Sequence, residues 1–220
     1  MKCDQDAGMR ILVITAVPAE REAVLRGLNG DPRFDVRAAG VGPIAAAART
    51  ARVLAASEYS LVVSAGIGGG FSGKAAIGSL VVADAIIGAD LGAETQEGFC
   101  SFAELGFGST RLEVDHDRVN QVADALLVAK LPVNIGPVLT VSTATGTAAS
   151  AVKLAARVPG ATAEAMEGYG VAVAAKDSDL PILEIRAISN IVGPRDRTAW
   201  RLTEALGVLE TAFSVLVEVV

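Results

Sequence analysis

Cysteine is nearly absent from this sequence: Cys3 and Cys100 are the only two in 220 residues. Two cysteines without metal-ligand spacing build neither a disulfide framework nor a thiolate metal site, and they suit a reducing, cytoplasmic setting. Aromatics make up only 4% of the chain, so its core must come from Ala, Val, Leu and Ile. Histidine occurs once, as His116 in the charged run Asp115-His116-Asp117-Arg118, which reads as a solvated helical stretch rather than a catalytic position. Positive charge is in deficit: 19 Lys and Arg stand against 25 Asp and Glu, a net charge of −6. That balance argues against a nucleic-acid or anionic-membrane surface. No apolar run reaches the ~18 residues of a membrane span, and the opening MKCDQDAGMR has no apolar core of a secretory signal. We expect residues 1–8 to be a frayed extension and 9–220 to be one domain.

What is present is apolar and periodic. Half the chain, 51%, is hydrophobic, enough for a sizeable core. Residues 9–17, MRILVITAV, form a continuous β-branched run of the kind buried in parallel sheets. Pro18 suits the first turn of a helix over 19–28. A weaker strand at 34–39 leads through Gly40-Val41-Gly42-Pro43 to an Ala-rich helix at 44–56. Strands are expected at 61–65, 79–87, 135–141 and 182–188, and helices at 115–129, 148–156, 168–175 and 198–216. Strand and helix alternate, which predicts a three-layer α/β/α domain around a mixed, largely parallel sheet. Between 88 and 111 the pattern breaks into glycines and scattered aromatics, an irregular excursion that could lie over an active site.

The glycine run after the third strand admits several readings. Gly68, Gly70 and Gly73 fit the dinucleotide spacing GxGxxG, and residues 68–74 fit the phosphate-loop spacing GxxxxGK. Both mechanisms need a helix directly after the loop, whereas 75–79 leads into a strand. The phosphate loop's Ser/Thr position is Ala75, so its magnesium ligand is missing. The remaining readings are a tight turn, or glycines that let backbone amides of Gly66, Ile67, Gly68 and Gly69 approach a small ligand at a strand end.

Polar chemistry gathers at two ends of the stretch 163–190. Met166-Glu167 opens a helix of small residues, and Arg186, Ser189 and Asn190 close a β-rich run. Together with Ala16-Val17-Pro18-Ala19-Glu20 and Ala65-Gly66-Ile67-Gly68-Gly69-Gly70, these segments resemble the nucleoside phosphorylase/nucleosidase superfamily over 9–220, and within it the futalosine hydrolase branch. No single motif is specific; their order and spacing carry the resemblance.

The resemblance implies roles. Glu20 takes the position of the acid that places the attacking water in the related methylthioadenosine nucleosidases. Met166 and Glu167 match the pair that holds the ribose. Asn190 departs from the strand-end acid that activates adenine there, and matches the Asn of phosphorylases acting on 6-oxopurine nucleosides. The expected activity is hydrolysis of futalosine to hypoxanthine and its dehypoxanthinyl sugar, in menaquinone biosynthesis, with no metal or cofactor. A purine nucleoside phosphorylase, a methylthioadenosine-type nucleosidase and a non-catalytic nucleoside-binding protein remain as alternatives. An assembly of at least two copies is expected.

The chemistry is consistent with those residue types. Breaking an N-glycosidic bond builds positive charge on the sugar and negative charge on the base. Glu20 can accept a proton from water, or be a solvated first-turn carboxylate; Glu167 has the same alternative. Arg186 can hold a carboxylate or the water, or tie strand to helix. Ser189 can bond the base or Asn190. Asn190 offers donors to O6 and N7 of hypoxanthine. Phosphate would need converging basic groups, and only Lys74, Arg21 and Arg49 are on offer. The carboxyphenyl arm of futalosine needs an apolar slot and a cation, for which Trp200 with Arg195 or Arg197 are the candidates; otherwise these arginines pair with Asp196 and Trp200 joins the core.

Overall fold

The β-branched run near the start of the chain becomes β1, Ile11–Thr15, with all five side chains buried. It is a strand covered on both faces, as its unbroken apolar sequence requires. The computed structural model describes residues 9–220; the frayed segment expected at 1–8, and Cys3 with it, lie outside the described residues. Pro18 opens α1, Pro18–Leu28, and Pro43 opens α2, Pro43–Leu54, where the missing N–H has no helical partner to lose. Between them runs β2, Phe34–Ala38. There follow β3, Leu61–Gly70, and β4, Leu80–Gly88. The short strands β5, Gly92–Thr95, and β6, Gly98–Ser101, form a hairpin before β7, Arg111–Glu113. Asp115 caps α3, His116–Val128, by accepting the N–H groups of Asp117 and Arg118. The chain ends with β8, Val133–Thr140; α4, Ala148–Arg157; β9, Ala163–Ala165; α5, Gly168–Asp177; β10, Ile182–Ile191; a 3₁₀ turn at Arg197–Ala199; and α6, Leu202–Leu216.

The sheet is mixed and largely parallel. β2, β1, β3 and β10 run parallel in that order, and so do β4, β8 and β9. Antiparallel seams join β10 to β4, β3 to β9 and β7 to β4. Because β3 is paired to both β10 and β9, the strands β3, β10, β4, β8 and β9 close into a ring, with β1 and β2 extending from it. Helices α1, α3 and α6 pack together on the sheet, while α2 packs on α5. Among the described residues no helix is long and apolar enough to cross a membrane.

Four expectations change. The glycines 66–70 are not a loop: they continue β3, paired to β10 on one side and, at Gly69 and Gly70, to β9 on the other. β10 does not close at Ser189–Asn190. After an irregularity at Ser189 it resumes, pairing Asn190 and Ile191 with Gly69 and Gly70. The last helix begins at Leu202, because 197–199 make the 3₁₀ turn. The segment 88–111 is irregular only in part: β5 and β6 make a hairpin over 92–101, with turns over 102–110, and Arg157 pins the hairpin, its guanidinium carbon 3.5 Å from the Phe99 ring centre.

The apolar end of α6 is covered as its sequence demands: Leu209, Ala212, Phe213 and Leu216 are fully buried. α1 reaches it through Gly27, where a β-carbon would stand 2.2 Å from the Glu210 carbonyl oxygen and 2.9 Å from Phe213 Cβ. On α6 itself, Gly207 faces open space. Gly27→Ala should therefore destabilise by about 1–3 kcal/mol through overpacking. Gly207→Ala should stabilise by about 0.5–1 kcal/mol through helix propensity. Urea unfolding of the two variants against the parent checks this, and shifts of the same sign would contradict the packing described.

Candidate active site

The turn from β1 into α1 carries the first acid. Glu20 sits at the third helical position, and its Oε2 accepts the N–H groups of Ala16 at 2.8 Å and Val17 at 3.1 Å. Its Oε1 accepts the N–H of Ile67 at 2.9 Å. It is 3% exposed, so it is not the solvated first-turn carboxylate that its position alone would allow. Burial pushes its pKa up, against the pull of those amides and of Arg186. Gly66 makes the approach possible: a β-carbon there would meet Glu20 Oε1 at 2.6 Å and Arg186 Nη1 at 2.8 Å.

The second acid begins α5. Glu167 Oε1 accepts the N–H of Gly42 at 3.1 Å, and its Oε2 lies 3.4 Å from Arg186 Nη1. Arg186 has no exposed surface. Its Nε donates to Glu184 Oε1 at 2.8 Å and its Nη2 to Ser64 Oγ at 2.9 Å. Burial works against its charge, but Glu184, Glu167 and Glu20 overcome that and raise its pKa. Burial likewise pushes the Glu184 carboxyl up, and Glu184 Oε2 has no hydrogen-bond partner among the described residues.

The third element is the end of β10. Ser189 Oγ lies 2.8 Å from Asn190 Oδ1 and 3.3 Å from the Gly68 carbonyl oxygen. A hydroxyl donating to Oδ1 fixes the amide so that Nδ2 carries the donors. One of its hydrogens goes to the Ile191 carbonyl at 3.2 Å, which leaves the second for a ligand.

These elements enclose one cavity of about 470 Å³, within the range of small-molecule sites. Of the residues singled out in the sequence, Glu20, Ile67, Gly68, Gly69, Met166, Glu167, Ser189, Asn190, Arg195 and Trp200 line it. Three do not. Gly66 lies behind Glu20. Arg186 is walled off by the carboxylates it holds, so its place is to position them rather than to touch a ligand. Arg197 lies in the exposed 3₁₀ turn, whereas Arg195 stands with its guanidinium carbon 5.3 Å from the Trp200 ring centre. The ion pair considered for Asp196 gives way to hydrogen bonds from the N–H and hydroxyl of Thr198. No residue of 88–111 of the same chain lines the cavity.

The sequence reading passed over Glu164, Thr145, Ala144 and Val41, which also line the cavity. Glu164 is buried in β9, and burial pushes its pKa up against hydrogen bonds from Thr145. Its signal was a lone acid in the small-residue run 161–166. Among the described residues no cluster of His, Cys, Asp and Glu has an arrangement suited to a metal ion.

Comparison with known proteins gives a consistent picture. Residues 10–219 match the family described as the phosphorylase superfamily. A futalosine hydrolase of Streptomyces coelicolor is 49% identical over 231 residues, covering 96% of each chain. A futalosine hydrolase of Acidothermus cellulolyticus is 48% identical over 218 residues, 93% of this chain and 89% of that one. The native structure of futalosine hydrolase of Helicobacter pylori superposes with a TM-score of 0.84 at 14% identity, over 96% of this chain and 97% of that one, which speaks to the fold alone.

The buried guanidinium makes a prediction. Removing one member of a buried ion pair costs about 3–5 kcal/mol, so Arg186→Met should lower stability strongly. With the guanidinium gone, the buried Glu184 and Glu20, whose pKa values burial raises, bind protons more tightly folded than unfolded. Stability then falls as pH rises through their titration. The loss relative to the parent should be larger at pH 8 than at pH 5 in thermal unfolding, and equal losses would show that the charge is not what Arg186 contributes.

Proposed function

Because the chain belongs to the phosphorylase superfamily, we propose that it is a nucleoside hydrolase which splits futalosine into hypoxanthine and the dehypoxanthinyl sugar, the step that the resemblance places in menaquinone biosynthesis. The observation that carries this reading is the convergence of Glu20, Glu167 and Asn190 on one cavity, in a chain about half identical to futalosine hydrolases along nearly its whole length.

Each group has a task its environment suits. Glu20 takes a proton from water as the water oxygen bonds to the anomeric carbon; its raised pKa makes it a better base than an exposed carboxylate. Glu167 and Met166 hold the ribose, with the carboxylate beside the sugar as positive charge develops. The bond from the anomeric carbon to N9 breaks with its electron pair moving to the base. Asn190, oriented by Ser189, donates its remaining N–H to the O6/N7 edge of the departing hypoxanthine, and a preorganised donor of this kind is worth roughly 3–4 kcal/mol. Backbone of Ile67, Gly68 and Gly69 walls the cavity where side chains would intrude. Arg186 holds the acids in place from behind.

Water is favoured over phosphate by the charges of the cavity. Arg195 is its one basic lining residue among the described residues. Arg49 donates to the Ala39 carbonyl and Arg21 to Glu22 and the Val36 carbonyl, so neither converges on the site. Arg195 on Trp200 instead suits an aromatic carboxylate arm. The acidic balance and sparse cysteine support a cytoplasmic setting, and exposed apolar side chains such as Phe107, 75% exposed, support assembly into at least a dimer.

Futalosine incubated with the protein should yield hypoxanthine at a rate indifferent to phosphate, with a free sugar as co-product; a sugar 1-phosphate would point to the phosphorylase. Glu20→Gln should lower kcat by about 10²–10⁴-fold, the usual contribution of a general base, with KM little changed. Since the base must be ionised and burial raises its pKa, activity of the parent should rise with pH through a limb above the ordinary carboxylate range. A limb within that range would argue against Glu20.

Arg195→Ala should raise KM for futalosine about tenfold or more and spare inosine, which lacks the arm. Arg197→Ala should change neither. Steady-state kinetics on both nucleosides decide it, and equal losses on the two would make Arg195 structural.

A further inference from the structure

Glu164 is a buried carboxyl group in the cavity wall to which the reaction above gives no task. Its place is set by the sheet. Gly69 is the register partner of Glu164 on β9 and of Asn190 on β10. Directly paired residues share a face of a sheet, so these two side chains stand on one face with only the bare α-carbon of Gly69 between them. Two strand spacings, roughly 10 Å, separate their backbones. A β-carbon on Gly69 would stand 2.9 Å from Val192 Cγ2 and 3.2 Å from Asn190 Nδ2, and both Asn190 and Glu164 line the cavity. The result is a slot with an amide on one wall and a carboxyl group on the other.

The two walls differ in hydrogen-bond character. With Oδ1 taken by Ser189, Asn190 presents a donor. Glu164 Oε1 accepts the Thr145 N–H at 2.9 Å, and its Oε2 bonds the Thr145 hydroxyl; each oxygen keeps a further lone pair. A 6-oxopurine offers the complementary edge: acceptors at N7 and O6, then a donor at N1–H. Adenine offers a donor at position 6 and a bare acceptor at N1, a mismatch at both walls. We propose that Glu164 accepts the N1–H of the leaving purine and, with Asn190, selects a 6-oxopurine. This rests on the reading of the cavity as the site of purine release. Sites that pair a ligand N–H with a buried acceptor discriminate sharply against analogues lacking that proton.

The test measures inhibition of futalosine turnover by free hypoxanthine and by 1-methylhypoxanthine, which has no N1–H. Parent, Glu164→Leu and Glu164→Gln are compared. Leucine keeps the bulk and loses the acceptor; glutamine keeps an acceptor oxygen. The parent should bind hypoxanthine at least tenfold more tightly than its methyl analogue. Glu164→Gln should retain most of that preference, and Glu164→Leu should lose it, chiefly by weakening hypoxanthine. If Glu164 merely fastens Thr145, Glu164→Leu weakens both bases alike and the ratio stays, which overturns the inference while futalosine hydrolysis by the parent stands. If the parent does not release hypoxanthine from futalosine, the proposed function fails and this inference with it.

Discussion

A guanidinium with no exposed surface holds this structure's polar centre together. Arg186 reaches Glu184 on its own strand, Glu167 at the start of α5 and Ser64 on β3, and it feels the charge of Glu20 at the start of α1. An unpaired ion at this depth would not be tolerated. Glu167 and Glu20 are therefore both partners that the arginine needs and groups that line the cavity, while the fully buried Glu184 serves the arginine alone. The geometry of the candidate site and the stability of the core rest on one set of contacts.

The backbone completes what the arginine begins. Glu20 is gripped by amides from two separate elements, the β1–α1 turn and β3, and Glu167 by an amide just before α2. These grips hold the acids in fixed orientations without closing them to solvent on the cavity side. Burial then raises the Glu20 pKa, a shift that suits a group asked to take a proton.

Much of this was legible in the sequence because it is local. Pro18 and Pro43 mark helix starts, Asp115 marks a cap, and the apolar run of β1 could only be a buried strand. The site motifs were legible as a set, through Glu20, Met166-Glu167 and Ser189-Asn190, all of which line the cavity. What was hidden depends on partners distant in the chain. Gly66–Gly70 looks like a loop until β10, more than a hundred residues later, pairs with it. β9 is three residues long, too short for any periodicity, and so Glu164 was passed over. Arg186 reads as a ligand-holding residue because nothing in the sequence reveals that three acids surround it. Arg195 and Arg197 flank one acid symmetrically in sequence, and only the 3₁₀ turn separates their surroundings.

The hairpin of β5 and β6 leaves the fold between β4 and β7, two strands that pair antiparallel and bring its two ends together. Its tip, at Gln96 and Glu97, is exposed and lies outside the cavity wall. A segment whose ends are already joined adds little to chain entropy when lengthened. The molecule thus carries a natural insertion point: an affinity tag or fluorophore-bearing loop placed there would report on the protein while leaving both termini and the carboxylate cluster untouched.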